Sequence, residues 1–256
     1  MGTFCTIILA GGYGSRLGEI GFHTAKPLLP LGRRRIIDYV VDKVCEIDNN
    51  SAVFVLVNSR FLDQFQQWVQ TQQHAARLTL VNNQQAAEFV APDIITNIVR
   101  TLEHQGISSD LLIVGGDNFF EFSLAGFLAF GRQHGISTVV VDVGSRRDAE
   151  RFSVVRLGED GRIIELVEKP KSPSSTLVTT CLFWFPATAL GLFEEYVRTG
   201  GAVASFGQFT QWLAGRAPIH GFLAEGAWRD VGTLDTYRTL QLQFAQEPTN
   251  TGETQA

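Results

Sequence analysis

The chain has 256 residues, 45% hydrophobic and 18% charged, enough to bury one large core. Its formal net charge of -5 argues against a general nucleic-acid or anionic-membrane surface, which calls for a basic excess. Cys5, Cys45 and Cys181 lack metal-ligand spacing and read as small buried hydrophobes in a reducing compartment; no apolar run approaches the roughly 18 residues that span a bilayer, so a soluble cytoplasmic protein is expected.

The first element is an apolar run, Ile7-Ile8-Leu9-Ala10, broken by Gly11-Gly12-Tyr13-Gly14-Ser15-Arg16-Leu17 and followed by Lys26-Pro27-Leu28-Leu29-Pro30. A buried strand ending in a Gly-rich turn lets backbone N–H groups converge on an anion, because Gly allows positive φ and an approach free of side chains. Arg16 and Lys26 add charge beside it, which makes a polyphosphate cradle with a cationic clamp. Two other glycine loops do not fit: the dinucleotide fingerprint needs a third Gly where Leu17 stands, and the P-loop needs Gly-Lys-Ser/Thr.

Ile37, Val40, Val41 and Val44 have helical spacing, and Ala52 to Val57 reads as a second buried strand. Phe61, Phe65, Trp68 and Val69 predict a helix packed on the core. Leu78 to Val81 is a short strand that leads into Asn82-Asn83-Gln84-Gln85, amides able to read a nucleobase edge or simply to form a polar loop. Ile94 to Leu102 is helical. Leu111 to Val114 is the next buried strand, running into Gly115-Gly116-Asp117-Asn118. A carboxylate at the C-terminal end of a central strand sits where open α/β sheets bind ligands, and turn or N-cap chemistry is the competing reading.

Phe119 to Gly131 is consistent with a helix and Ser137 to Val143 with a strand, so the first 145 residues imply a largely parallel sheet with helices on both faces. Phe152 to Leu157 and Arg162 to Val167 predict a hairpin. In Glu168-Lys169-Pro170 the Pro ring is expected to hold Lys169 extended, giving a rigid charged pair. Strands over Thr179 to Phe185 and Ile219 to Leu223, and helices over Leu190 to Val197, around Phe206 to Leu213 and over Tyr237 to Phe244, complete the reading. Trp228-Arg229-Asp230-Val231-Gly232-Thr233 lies between the last strand and the last helix. The chain reads as one α/β domain over 1–245, with a nucleotide-binding part (1–145), an acceptor-binding part (146–245) and a polar tail (246–256).

Four blocks, the glycine loop with Lys26-Pro27, Gly116-Asp117-Asn118, Glu168-Lys169-Pro170 and Trp228 to Thr233, together resemble the sugar-1-phosphate nucleotidyltransferases (nucleotide-sugar pyrophosphorylases), in order and across nearly the whole chain. The resemblance implies a Rossmann-like three-layer sandwich with a mixed, mostly parallel central sheet and a β-rich sugar-binding elaboration. It implies transfer of a nucleoside monophosphate from a nucleoside triphosphate to a sugar 1-phosphate, or a related phosphate, with release of pyrophosphate. Leu9, Ala10, Gly11, Gly12, Gly14, Ser15 and Arg16, with Asn82 and Gln84, would hold the nucleotide. Arg16, Lys26 and Asp117 would be catalytic, Asp117 and Asp230 would hold Mg²⁺, and Glu168, Lys169, Ser153 and Thr180 would meet the acceptor.

The chain departs from the family where Tyr-Gly is common and it has Phe152-Ser153, and where Thr-Gly is common and it has Thr180-Cys181. It also has Asp93-Ile94-Ile95-Thr96 in place of a small-residue segment. These departures leave an acceptor other than a hexose 1-phosphate, such as a cyclitol or small alcohol phosphate, as the alternative. The length resembles thymidylyl- and cytidylyltransferases, whereas Gly14-Ser15-Arg16-Leu17 and Arg35-Ile36-Ile37-Asp38 resemble the adenylyl branch, so the base is open. A non-catalytic nucleotide sensor would be expected to lose a metal carboxylate or Arg16 and Lys26, and all are kept. Similar proteins often form homo-oligomers, but no interface is legible.

Overall fold

The computed structural model describes residues 2–12, 14–82, 94–200 and 205–246. In chain order its strands are β1 (Phe4–Ala10), β2 (Pro30–Leu31), β3 (Arg34–Arg35), β4 (Asn50–Val57), β5 (Leu78–Asn82), β6 (Asp110–Gly115) and β7 (Asn118–Phe120). They continue with β8 (Ser137–Asp142), β9 (Ser153–Leu157), β10 (Ile163–Glu168), β11 (Leu177–Phe185), β12 (His220–Leu223) and β13 (Trp228–Asp230). Nine strands form the central sheet, in the order β10-β9-β11-β6-β1-β4-β5, with β8 pairing β11 and β12 on the edge of β8. From the pairings, β10 and β11 run against the other seven strands, so the sheet is mixed and mostly parallel.

The continuous apolar strands are explained by burial on both faces. In β1, Ile8 and Ala10 enter one core while Ile7 and Leu9 enter the other. In β4, Val53, Val55 and Val57 face the first core and Phe54 and Leu56 the second. Helices Ile36–Cys45, Leu62–Gln70 and Leu124–His134 cover the first face, and Ile94–His104, Gly191–Arg198 and Phe206–Ala214 cover the second. The outcome is the expected three-layer α/β fold. A third, smaller cluster joins Leu17, Leu29 and Leu31 to Val231, Tyr237 and Leu240, so helix Leu234–Gln246 packs behind the glycine loop.

Two local expectations are corrected. The helix expected over Phe119 to Gly131 begins at Leu124, where the Ser123 hydroxyl accepts the Ala125 N–H at 3.2 Å. Phe119 and Phe120 instead lie in β7, which pairs antiparallel with β13 as a separate two-stranded ribbon. Only Cys45 is a buried cysteine; Cys5 and Cys181 are half-buried. Among the described residues no helix is long and apolar enough to cross a membrane.

Candidate active site

The site forms where the parallel strands end. β1 stops at Ala10, and Gly11 and Gly12 enter the wall of a cleft of about 860 Å³. Among the described residues a Cβ on Gly12 would meet no atom within 4 Å, and Gly12 faces the cleft. Gly14 does need its freedom, with φ 64°. A Cβ on Gly21 would come 2.2 Å from the Gly14 carbonyl oxygen, so the short helix Glu19–His23 presses directly on the loop. Arg16 also lines the cleft.

Two carboxylates distant in sequence meet opposite this loop. After β6, the Gly116 N–H donates to the Leu9 carbonyl at 2.9 Å, tying the turn to the end of β1. Asp117 follows, and the β7–β13 ribbon sets Asn118 in register with Asp230. The Val231 N–H closes the ribbon on the Asp117 carbonyl at 3.2 Å. Lys26 pairs its ammonium with Asp117 Oδ2 and lies 3.6 Å from Asp230 Oδ1.

The electrostatics follow from this placement. Burial works against the charge on Lys26, but Asp117 and Asp230 outweigh it and hold the amine above its ordinary pKa. Burial likewise opposes ionisation of Asp117, and the Lys26 ammonium with the Asn118 amide holds that carboxyl below its usual range. For Asp230 burial prevails over Lys26, with repulsion from Asp117 added, and its carboxyl is pushed up. The two aspartates are thus unequal.

The other half of the cleft carries Glu168 and Lys169. Ser153 donates its hydroxyl to Glu168 Oε2 at 2.5 Å, and Lys169 Nζ lies 3.1 Å from Glu168 Oε1. Gly207 packs against this carboxylate so closely that a Cβ there would meet Oε2 at 2.2 Å. Lys169 is not extended as expected. It has φ 46°, and among the described residues it alone has positive φ without being Gly. Its N–H donates to the Phe152 carbonyl at 3.0 Å, a tertiary bond that overrides the local preference set by Pro170.

Of the residues singled out in the sequence, Leu9, Gly11, Gly12, Arg16, Asp117, Ser153, Glu168, Lys169, Thr180 and Asp230 share one cleft wall. Thr180 is buried, its hydroxyl donating to the Val139 carbonyl at 3.2 Å. Asn82 lies elsewhere: it lines a small cavity of about 100 Å³, and its amide oxygen accepts from Ser59 at 2.8 Å. Gln84 lies outside the described residues. Sequence reasoning did not assign Arg151, Phe152, Phe183, Phe206, Gly207 and Gln208 to the cleft. Phe183 and Phe206 carried only a core signal, whereas Phe152 stands out in the sequence only as a departure from the family pattern.

A family model described as nucleotidyl transferase matches residues 5–247. The chain belongs to this family. It is 27% identical over 267 residues to a glucose-1-phosphate adenylyltransferase of Thermomicrobium roseum, covering 96% of this chain and 61% of that protein. A second protein of that name, from Clostridium acetobutylicum, is 28% identical over 252 residues, covering 90% and 64% of the respective chains. The bifunctional protein GlmU of Methanocaldococcus jannaschii is 24% identical over 229 residues, with 88% of this chain matched to 50% of the relative. The chain therefore spans less than two thirds of these curated relatives. In fold it is similar to the crystal structure of a putative glucose-1-phosphate thymidylyltransferase from Bacillus anthracis in complex with a sucrose. That likeness has a TM-score of 0.79 at 23% identity and covers 95% of this chain and 96% of the other.

The donors at Asp117 and Asp230 suit a hard cation. Magnesium is usually held by one or two carboxylates plus substrate phosphate oxygens, and both aspartates line the cleft with side chains partly open to it. Among the described residues no group of three or more His, Cys, Asp or Glu side chains forms a ready-made metal cage.

Proposed function

We propose that this nucleotidyltransferase transfers a nucleoside monophosphate from a nucleoside triphosphate to a sugar 1-phosphate, forming a nucleoside diphosphate sugar and pyrophosphate. The observation that carries the reading is Lys26 set against Asp117 and Asp230, both of which line one cleft with Gly11, Gly12 and the Glu168–Lys169 pair. A phosphate oxygen of the acceptor attacks the α-phosphorus, the bond to the bridging oxygen breaks, and pyrophosphate leaves with its electron pair. That nucleophile is already ionised at neutral pH, so no general base is needed, and alignment and charge neutralisation carry the catalysis.

Gly11, Gly12 and Arg16 hold the triphosphate in this reading, and Lys26 neutralises charge at the α-phosphate. Lys169 binds the acceptor phosphate, and Glu168 orients Lys169 and meets a neighbouring acceptor group. Asp117 and Asp230 would hold Mg²⁺, which supplies charge neutralisation on the phosphates when bound. The names of the relatives support a sugar 1-phosphate acceptor, while Ser153 on Glu168 keeps a cyclitol or small alcohol phosphate as the second reading.

The test is pyrophosphate release from the purified protein with five nucleoside triphosphates against a panel of phosphorylated acceptors, with Mg²⁺ and then with chelator. Chelator-sensitive release that depends on one sugar 1-phosphate supports the proposal. Silence throughout, with the triphosphate still bound, would overturn it in favour of a nucleotide sensor.

A further inference from the structure

Lys26 stands on backbone that leaves the central sheet after Ala10. From Gly11 onward the chain winds through a 3₁₀ turn at Ser15–Leu17, the helix Glu19–His23 and a second 3₁₀ turn at Lys26–Leu28. Among its described residues no sheet ladder fixes this excursion, yet an ammonium serving two carboxylates has to be placed to within about 1 Å. Four side-chain hydrogen bonds reach the excursion from one segment, the residues just after β4.

Buried Asn58 donates to the Gly11 carbonyl at 3.4 Å, while its amide oxygen accepts the Arg60 N–H at 3.0 Å. Arg60 sets its guanidinium 4.0 Å from the Phe22 ring centroid and donates to the Phe22 carbonyl at 2.9 Å. Gln64 makes two bonds. Its Nε2 donates to the His23 carbonyl at 2.8 Å, and its Oε1 accepts the Ala25 N–H at 3.1 Å. These two bonds bracket Thr24 and end one residue before Lys26.

We infer that Gln64 is a positioning residue for Lys26, its amide fixing the backbone from which the ammonium reaches Asp117 and Asp230. A primary amide offers a donor and an acceptor side by side, which is what a carbonyl and an N–H two residues apart require. Its base is rigid, because Phe65 and Trp68 on the same helix are fully buried. Asn58 grips the start of the excursion at Gly11, and Arg60 holds Phe22 in the helix Glu19–His23, so Gln64 is the member of this segment that bonds nearest to Lys26. The inference rests on the proposed role of Lys26 in transfer.

The experiment is a double-mutant cycle of Gln64→Leu and Lys26→Ala, with turnover followed by labelled triphosphate, triphosphate affinity by direct binding and folding by thermal melting. Gln64→Leu is expected to lower kcat about tenfold or more, with triphosphate Kd and acceptor KM within about twofold of the wild-type values. In the Lys26→Ala background it should cost nothing further, because the group it positions is gone. Gln64→Glu, which keeps the acceptor for Ala25, should lose less, and it replaces Gln64→Leu in the cycle if that variant does not fold. Equal losses in both backgrounds, or an unchanged kcat in folded Gln64→Leu, overturn the inference. Normal turnover by Lys26→Ala would instead overturn the role of Lys26 itself.

Discussion

Trp228 donates its indole N–H to the Asn118 amide oxygen at 2.7 Å, and Asn118 in turn donates to Asp117 Oδ1 at 3.0 Å. The first bond crosses the β7–β13 ribbon and is buried, so Trp228→Phe leaves an amide oxygen without its partner. The expected cost is about 1–3 kcal/mol of stability, with kcat falling more than either KM because Asp117 loses its orienting neighbour. Chemical denaturation and steady-state kinetics check this; a normal kcat in a destabilised variant would make the bond purely structural.

Removal of either aspartate tests the metal reading. Asp117→Ala should lower turnover about 10²- to 10³-fold while the fold persists, and titration with Mg²⁺ should demand higher concentrations for any residual activity. Near-normal, Mg²⁺-dependent turnover in Asp117→Ala would be incompatible with its assignment.

Lys169 combines a proposed binding role with left-handed backbone. Lys169→Ala should raise the acceptor KM without an equal change for the triphosphate. Lys169→Gly should do the same but melt higher than Lys169→Ala, since Gly accepts positive φ at about 1 kcal/mol less strain. Equal KM changes for both substrates would place Lys169 elsewhere in the reaction.

Gly207→Ala pushes a methyl into the Glu168 carboxylate, which must move off its bond with Ser153. Displacing that carboxylate frees Lys169, so the acceptor KM should rise. Ser153→Gly removes the hydroxyl from the same carboxylate and should widen the range of acceptors used. An unchanged acceptor profile for Ser153→Gly would show that Ser153 does not bear on selectivity.

Burial pushes the Cys181 thiol up, and the charges on Asp117 and Asp230 push the same way against Lys26. Thiolate is the species that alkylates, so at pH 8 Cys181 should label more slowly than an ordinary thiol of pKa about 8.5. The sign for stability follows: the folded state keeps this proton where the unfolded chain has lost it. Its contribution is therefore full below the unfolded pKa and lost as pH rises above it. Peptide mass mapping after timed alkylation measures the rate, and labelling as fast as a free thiol would contradict the burial argument.

The layered fold was legible because each strand buried on both sides announces itself as a continuous apolar run, as in Ile7 to Ala10 and Leu111 to Val114. The ribbon was not. Three residues give no period, and Phe119-Phe120 carries the same apolar signal in a strand as in a helix. Cleft-lining residues in a Gly-rich or charged context were legible as candidates, among them Arg16, Asp117 and Glu168, as was Lys26 beside Asp117. Phe183 and Phe206 were not, since an aromatic side chain lining a cleft has the same letter as one filling a core. Lys169 was misread because a tertiary bond to Phe152 decides its backbone.

The pairing of Asn118 with Asp230 has a consequence for assembly of the protein. The glycine loop, Lys26 and the first carboxylate all precede residue 118, yet the ribbon that brings in the second carboxylate needs residues 228–230. During synthesis the cleft floor can form early, while its acid pair is completed only after more than a hundred further residues have emerged and docked. Turnover would then report on the finished fold, and a chain stalled before Trp228 would lack both Asp230 and the strand that pairs with Asn118.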